Sequence, residues 1–290
     1  MYGLTAEAHI GLALALLTVG ALICALLAKY RKVVGWVAFA FVLPACALIL
    51  YVAGSVFTGN PVGPHTVFKL IGLQTGLVVR VDSLSAIFLA ITSLIAFCSS
   101  MYSIRYIEIY SDESLLRYYP FFLLFIASVI SVVIVADMLF FIIAWEVMTL
   151  TSYALVVFQT RERAVIRAGV RYFVATHAAT ACMLLGTIIL YASPKGGSFH
   201  FESLAGAMEW LAKWRPGLLH LVLLLFFVGF ATKAGVLPFG FWLPETYPAA
   251  PTAASALFAG TMGKLGVYGI VRIFAELLPI TRFSTSWGQT

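Results

Sequence analysis

Charged side chains are scarce in this sequence. They make up 10% of the 290 residues, while hydrophobic residues make up 62%. Soluble globular domains carry about 25% charged residues, so a chain of this composition has too few charges to cover a surface in water. The composition excludes a soluble domain and predicts an integral membrane protein whose main solvent is lipid.

Paired cysteines and nucleotide-binding motifs are also missing. The sequence has four cysteines and no C-x-x-C pair, which argues against an iron–sulfur cluster or a zinc site. It has no Walker loop, dinucleotide fingerprint or nucleophile–base arrangement. We therefore expect no metal and no cofactor, and we interpret the cysteines as small packing residues: Cys24, Cys46, Cys98 and Cys182.

No basic face can be built, although the formal net charge is +6. The basic residues are spread over short loops, which is typical of anchoring at lipid headgroups and not of nucleic-acid binding. The first apolar run is too long for a signal-peptide core, and no cleavage site follows it. We interpret that run as a retained span.

Long runs of apolar residues are the main feature of the sequence. About 20 mostly apolar residues are needed to cross about 30 Å of hydrocarbon. The sequence predicts an all-α bundle of about eight spans, with an amphipathic interfacial helix over Phe201–Trp214, a short extended segment over Leu77–Asp82 and a polar tail over residues 277–290. The spans are Ile10–Ala28, Val33–Phe57, Leu84–Ile107, Tyr119–Ala136, Met138–Phe158, a sixth ending near Tyr191, Leu218 to about Tyr247, and Thr252–Glu276.

The loops alternate between two sides of the membrane. One side concentrates basic residues in short loops, and by the positive-inside tendency it is predicted to be cytoplasmic, with the N-terminus outside. The residues on that side are Lys29, Arg31, Lys32, Arg105, Arg117, Arg161, Arg163 and Arg167.

Four ionisable residues are predicted to lie at membrane depth, where each charged group costs about 2.5–3.5 kcal/mol on insertion scales. Glu146 shares a helical face with Thr149 and Tyr153, which gives the fifth span a polar stripe pointing into the bundle. Either Glu146 forms a structural ion pair that fixes helix register, or it is a protonatable relay site. His177 is either a hydrogen-bonded packing residue or a proton-handoff group.

The two lysines stand beside unusual local sequence. Lys233 precedes Pro238, which would break the seventh span next to the lysine, and broken helices at membrane depth mark ion sites in many transporters. Lys264 follows small residues repeated every fourth position, Ser255, Ala259 and Gly263. That spacing predicts close helix packing and a lysine directed at a neighbouring helix, with snorkelling to the interface as the alternative.

Other acidic residues have simpler interpretations. Asp82 and Asp137 lie at the ends of spans, where we expect them to cap helices. Glu245 follows the broken span and is expected to cap or to form a local pair.

At these residues the sequence resembles the antiporter-like membrane subunits of respiratory complex I, multisubunit cation/proton antiporters and energy-converting membrane hydrogenases. The Trp-Glu-Val-Met and Ala-Thr-His-Ala-Ala-Thr-Ala segments are most similar to the hydrogenase-4 and formate hydrogenlyase branch. The matching stretches are Phe140–Met148, Arg171–His177, Lys233–Pro238, and Trp242–Thr252 continuing to Arg272.

The resemblance implies a proton-translocating subunit without redox chemistry of its own, placed in the cytoplasmic (inner) membrane beside other membrane subunits. It assigns proton-relay roles to Glu146, Lys233 and Lys264, with a switchable ion pair between the first two. Three alternatives stay open: a subunit of another branch of the family, a structural or assembly subunit without a complete ion path, and a contributor to a quinone or hydrogenase site.

The resemblance also implies a division of the chain. Family members usually carry about fourteen core helices in two inverted five-helix repeats. Residues 1–118 would hold three leading helices and residues 119–276 the first repeat, followed by the tail at 277–290. The second repeat is absent from this sequence, so we expect a fragment, a split subunit, or a partner chain that supplies the other half.

Overall fold

A computed structural model describes residues 5–70 and 75–277. Within them, eight helices are long and apolar enough to cross a membrane, as the sequence predicted. We label the spans α1 Ala6–Leu26, α2 Arg31–Phe57, α3 Ser83–Tyr106, α4 Tyr119–Ile134, α5 Met138–Val156, α6 Arg163–Tyr191, α8 Pro216–Ala234 and α10 Thr252–Leu277. The shorter elements are β1 Val62–Leu70, β2 Thr75–Val81, α7 Phe201–Trp214 and α9 Leu243–Ala249.

Helix α4 lies at the centre of the bundle. It packs against α1, α3 and α5, and most of its surface is buried in protein. Its sequence from Phe121 to Ile134 contains only apolar residues, alanine and serine. A helix that is hydrophobic on all sides fits such a fully enclosed position.

A two-stranded antiparallel hairpin, β1–β2, lies between α2 and α3. The predicted extended segment coincides with β2 from Leu77 to Val81, while Asp82 caps α3, and β1 was not predicted. Strand β1 buries only its first residue, Val62, so the alternation that signals a half-buried strand is missing. The fold class is a mostly helical transmembrane bundle, as predicted, with one hairpin in addition.

The hairpin is bonded to the break between α4 and α5. The Ala136 N–H donates to the Val78 carbonyl at 2.9 Å, and the Met138 N–H donates to the Phe199 carbonyl at 2.8 Å. Because these two N–H groups are hydrogen-bonded to carbonyls of other segments, the chain can leave helical geometry here without losing hydrogen bonds. Asp137 caps α5 by accepting from Leu139 and Phe140, as predicted.

The seventh span is broken, but the break begins before the proline. Helix α8 ends at Ala234, and Gly235 follows with a φ of +74°, a left-handed conformation that favours glycine. The Val236 N–H donates to the Ala231 carbonyl at 3.0 Å, which closes the helix end. Pro238 lies within the non-helical segment that separates α8 from α9.

Helix α10 contains a π turn at Phe258–Met262. Its closely packed glycines are Gly260, where a Cβ would clash with Ile95 of α3, and Gly266 and Gly269, where a Cβ would clash with atoms of α8. The predicted packing face through Ser255, Ala259 and Gly263 is wrong: Ala259 is exposed, and Ser255 and Gly263 are only half-buried. The π turn inserts about one residue and rotates the following turns away from a four-residue repeat.

Helix α7 occupies the predicted range. Its apolar face buries Phe201, Leu204 and Leu211 against the protein, and it contacts α6 and α8. The amphipathic pattern was therefore interpreted correctly as a helix, and the apolar side is covered by the bundle.

Candidate functional site

Lys233 lies at the end of α8, next to the helix break. It is 1% exposed, and its Nζ donates to Thr149 Oγ1 at 3.0 Å and to Tyr172 Oη at 2.9 Å. Among the described residues, no carboxylate oxygen lies within 4.0 Å of Nζ. The amine of this buried lysine is thus held by two neutral hydroxyl groups.

The two hydroxyl groups are held in place by further contacts. Thr149 donates to the Trp145 carbonyl of the preceding turn at 3.0 Å, and Tyr172 Oη lies 2.6 Å from Ser152 Oγ. Lys233 Nζ also lies 5.1 Å from the centre of the Tyr172 ring, within range of a cation–π interaction. Helices α5, α6 and α8 therefore each contribute to one pocket around the ammonium group.

The break in the seventh span completes this pocket. Trp242 follows the break, is 1% exposed and packs its ring 4.9 Å from that of Tyr172. Its Nε1–H donates at 2.9 Å to the Thr232 carbonyl, which also accepts from the Gly235 N–H at 3.2 Å. Trp242 therefore ties the chain after the break to the end of α8, beside the buried lysine.

Glu146 is paired with His177. Its Oε2 lies 2.9 Å from His177 Nε2, and His177 Nδ1 lies 2.9 Å from the Phe173 carbonyl oxygen. Since that carbonyl only accepts, Nδ1 carries a proton, and one further proton must lie between Nε2 and the carboxyl group. The pair is either imidazolium with carboxylate or neutral imidazole with carboxylic acid.

The predicted contact between Glu146 and Lys233 is not formed in this structure. Glu146 lies one turn before Thr149 on α5, and Thr149 contacts Lys233 directly. The other carboxyl oxygen, Oε1, is buried and has no hydrogen-bond partner among the described residues. Glu146 therefore belongs to the same side of α5 as the lysine pocket, with an acceptor still available.

Lys264 is not part of this pocket. Its side chain is exposed in the described structure, and its Nζ donates to the Ala259 carbonyl of its own helix at 3.0 Å. The prediction that it points at a neighbouring helix is wrong for this chain. The π turn at Phe258–Met262 explains the difference, because it changes the face on which position 264 lies.

Tyr172 and Trp242 are residues of the pocket that the sequence did not single out. Both lie in stretches that matched the family, but an aromatic residue in an apolar helix is normally interpreted as packing. Only their contacts with α8 identify them.

A second charged cluster lies at the hairpin side of the bundle. Arg272 of α10 is buried and donates to both carboxyl oxygens of Asp82, at 2.5 and 3.0 Å, and also to Glu276. Arg80 donates to Asp82 at 2.6 Å and pairs with Glu276 as well. Two cations and two carboxylates therefore neutralise one another.

Asp82 caps α3 by accepting from the Ser85 N–H at 2.9 Å, as predicted. Burial alone would raise the pKa of Asp82, but hydrogen bonds from Arg272, the Ser85 N–H and Arg80 outweigh it. They hold the pKa of this carboxyl group well below its usual range.

Glu245 forms an exposed ion pair with Arg171 of α6, at the end of the bundle opposite the hairpin. The two side chains line a polar cleft of about 480 Å³. Arg171 directly precedes Tyr172, so this cleft lies beside the lysine pocket.

Comparison with known proteins identifies the family. The family described as "NADH:quinone oxidoreductase/Mrp antiporter, TM" matches residues 135–288, more than half of the chain. The chain belongs to this family. The family described as "NADH-Ubiquinone oxidoreductase (complex I), chain 5 N-terminus" matches residues 68–119. The chain is thus an antiporter-like, multi-pass membrane protein, as the resemblance implied.

Individual relatives agree. The chain is 34% identical to hydrogenase-4 component B of Escherichia coli, over 73% of this chain and 30% of that protein. It is 28% identical to a Na⁺/H⁺ antiporter subunit of Alkalihalophilus pseudofirmus, over 69% of this chain and 39% of that protein. The chain therefore spans about a third of the length of these relatives.

The fold has solved counterparts. A chain of the archaeal respiratory membrane complex known as the membrane-bound sulfane sulfur reductase superposes with a TM-score of 0.81 at 18% identity. The match covers 93% of this chain and 53% of that chain. At this identity the likeness shows the antiporter-like fold.

Proposed function

We propose that this chain carries the first half of a proton-translocating, antiporter-like subunit of a redox-driven complex in the cytoplasmic membrane, of the energy-converting hydrogenase class. The family match and the 34% identity to hydrogenase-4 component B support this class. Residues 119–276 would form one five-helix repeat, and the second repeat would come from further sequence or from a partner chain.

The observation that carries the proposal is the environment of Lys233. When Lys233 is protonated, its charge is not neutralised by its hydroxyl partners, and such a buried charge is costly and typical of functional sites in membrane proteins. Thr149 and Tyr172 can hold either the ammonium or the neutral amine, because hydroxyl groups both donate and accept. Lys233 can therefore gain or lose a proton without losing its partners.

Glu146 and His177 supply the second component. Glu146 and His177 share one proton, so the charge on Glu146 depends on where that proton lies. Glu146 is one helical turn before Thr149, which contacts Lys233, so a change in its charge changes the electrostatic potential at Lys233. A carboxylate on Glu146 favours the ammonium form of Lys233, and a neutral Glu146 favours release of its proton. Lys264 would accept that proton in the complete protein, where further helices would cover its exposed face.

The proposal is tested by Lys233→Met in the assembled complex. We expect redox-driven proton uptake into inverted membrane vesicles to fall at least tenfold, because methionine fills the pocket but carries no proton. Lys195→Met is the matched control, since Lys195 is exposed in the loop between α6 and α7. Complex assembly is measured in parallel on native gels.

Two outcomes separate the alternatives. Proton uptake at the control level in assembled Lys233→Met complexes would contradict the relay role. If Lys233→Met instead prevents assembly, and Thr149→Val and Tyr172→Phe do the same, the pocket serves assembly and the chain is a structural subunit.

A second candidate is a subunit of a multisubunit Na⁺/H⁺ antiporter, favoured by the relative from Alkalihalophilus pseudofirmus. The same vesicles distinguish it. Sodium-dependent collapse of an imposed pH gradient, without any redox substrate, would favour the antiporter.

A further inference from the structure

A deep groove lies on the outside of the bundle, away from the lysine pocket. Helices α1 and α5 form its walls, α4 forms its floor, and the hairpin covers one end. Its volume is about 640 Å³, a size typical of pockets that hold a small molecule.

The interior of the groove does not need hydrogen bonds from a ligand. Its hydroxyl groups already donate to carbonyls of their own helices: Thr18 to Leu14 at 2.9 Å, and Ser131 to Ala127 at 2.8 Å. The remaining wall is apolar, with Leu14 a representative residue. Such a groove accepts a hydrocarbon chain.

The length of the groove indicates whether a lipid or a transmembrane helix would occupy it. Along α1 it runs from Glu7 to Thr18, which is about 16 Å at about 1.5 Å per residue. The hydrocarbon core of a bilayer is about 30 Å thick, so the groove spans one leaflet. A transmembrane helix from a partner would need a groove through both leaflets.

The mouth of the groove, at the hairpin end, is polar. Glu7 of α1 and His65 of β1 both line it and lie close enough to interact electrostatically. A carboxylate at headgroup depth attracts a primary ammonium group, and an imidazole next to it can donate to a phosphate oxygen.

We propose that this groove is a binding site for one phospholipid with a primary ammonium headgroup, such as phosphatidylethanolamine. The acyl chains lie between α1 and α5, the ammonium group pairs with Glu7, and the phosphate group lies near His65. The lipid would hold α1 and the hairpin against α4 and α5.

Two variants test the two ends of the site. Gly11 lines the groove, and a Cβ at this position would meet no atom within 4 Å, so Gly11→Phe extends into the groove without a backbone clash. Gly54→Phe is the matched control, because Gly54 is a helical glycine on α2 with equally free space outside the groove. Glu7→Gln keeps the shape of the mouth and removes its charge.

The purified chain is reconstituted with equal amounts of phosphatidylethanolamine, phosphatidylglycerol and phosphatidylcholine, and retained lipid is counted by native mass spectrometry. We expect one phosphatidylethanolamine per wild-type chain and per Gly54→Phe chain. Gly11→Phe should lose it, and Glu7→Gln should lower its preference over phosphatidylcholine about tenfold.

Three results would overturn the proposal. The first is retention without headgroup preference in the wild type, and the second is equal retention by Gly11→Phe and Gly54→Phe. The third is cross-linking of a photoreactive residue at position 11 to a protein instead of to lipid, which would show that a partner helix or a further part of the protein fills the groove.

Discussion

Two buried basic residues, Lys233 and Arg272, lie in the same bundle but have different kinds of hydrogen-bond partner. Arg272 contacts two carboxylates, and a second arginine, Arg80, completes a neutral cluster at the hairpin side. Lys233 contacts two hydroxyl groups and no carboxylate among the described residues. Both side chains are almost fully enclosed, so burial alone does not distinguish them.

The difference lies in what each pocket can exchange. The guanidinium group of an arginine stays protonated in proteins, and its planar fork matches carboxylates, so Arg272 can only hold α10 against Asp82 and the start of α3. A lysine amine can lose its proton, and hydroxyl partners accept either form. Under the proposed function, the hairpin side provides stability and the Lys233 side provides proton exchange.

Replacing each cation by methionine should give the largest difference in stability between the two pockets. We expect Arg272→Met to lower the free energy of unfolding by about 3 kcal/mol, because it leaves partly buried carboxylates with one cation. Lys233→Met should change it by less than about 1 kcal/mol, because methionine fits the pocket and the hydroxyl groups keep Trp145 and Ser152 as partners. Reversible unfolding in mixed micelles, followed by tryptophan fluorescence, measures both.

Equal losses in the two variants would show that Lys233 is a structural cation like Arg272. A large loss for Lys233→Met alone would have the same meaning. The conservative variant Arg272→Lys should recover only part of the stability, since a lysine cannot bind both oxygens of Asp82 in the same geometry.

The helix break can be compared with a turn on the hairpin side. Gly235 and Gly59 both have positive φ angles, of 74° and 95°. Gly59→Ala should cost about 1 kcal/mol for the left-handed conformation alone, because a Cβ there meets nothing within 4 Å. Gly235→Ala should cost about 1 kcal/mol more, because its Cβ would overlap with Leu243 Cδ1.

The same unfolding assay measures both alanine variants, and Gly235→Ala should also reduce proton uptake. If the two variants lose equal stability and proton uptake is unchanged, the break contributes no more than an ordinary turn.

The smallest predicted effect is a loss of folding stability in acid, which acts through Asp82 on the hairpin side. The pKa of Asp82 is lowered in the folded protein, so its stabilising contribution is complete above the unfolded pKa of about 4 and is lost as the pH falls below it. Partial exposure of the side chain lets solvent screen the effect. Wild type should therefore lose stability relative to Asp82→Asn as the pH falls below about 4, measured by thermal unfolding; parallel curves would contradict this assignment.

The sequence predicted several elements because each depends on local composition. The eight spans and helix α7 follow from runs of apolar residues, and the caps at Asp82 and Asp137 follow from their position at the ends of spans. Strand β1 was missed because its exposed residues do not alternate. The packing face of α10 was predicted incorrectly, because a π turn leaves no clear mark in the sequence.

The sequence by itself determined that this chain spans a membrane and that Glu146, His177 and Lys233 lie within it, because the cost of moving charges into hydrocarbon depends on residue type and span length. Only the tertiary structure decided the partners. A hydrogen bond requires donor and acceptor within about 3 Å, and a rotation of one helix by a single residue, about 100°, changes which side chains meet. The pairing of Glu146 with His177, the hydroxyl partners of Lys233 and the exposure of Lys264 all depend on such rotations.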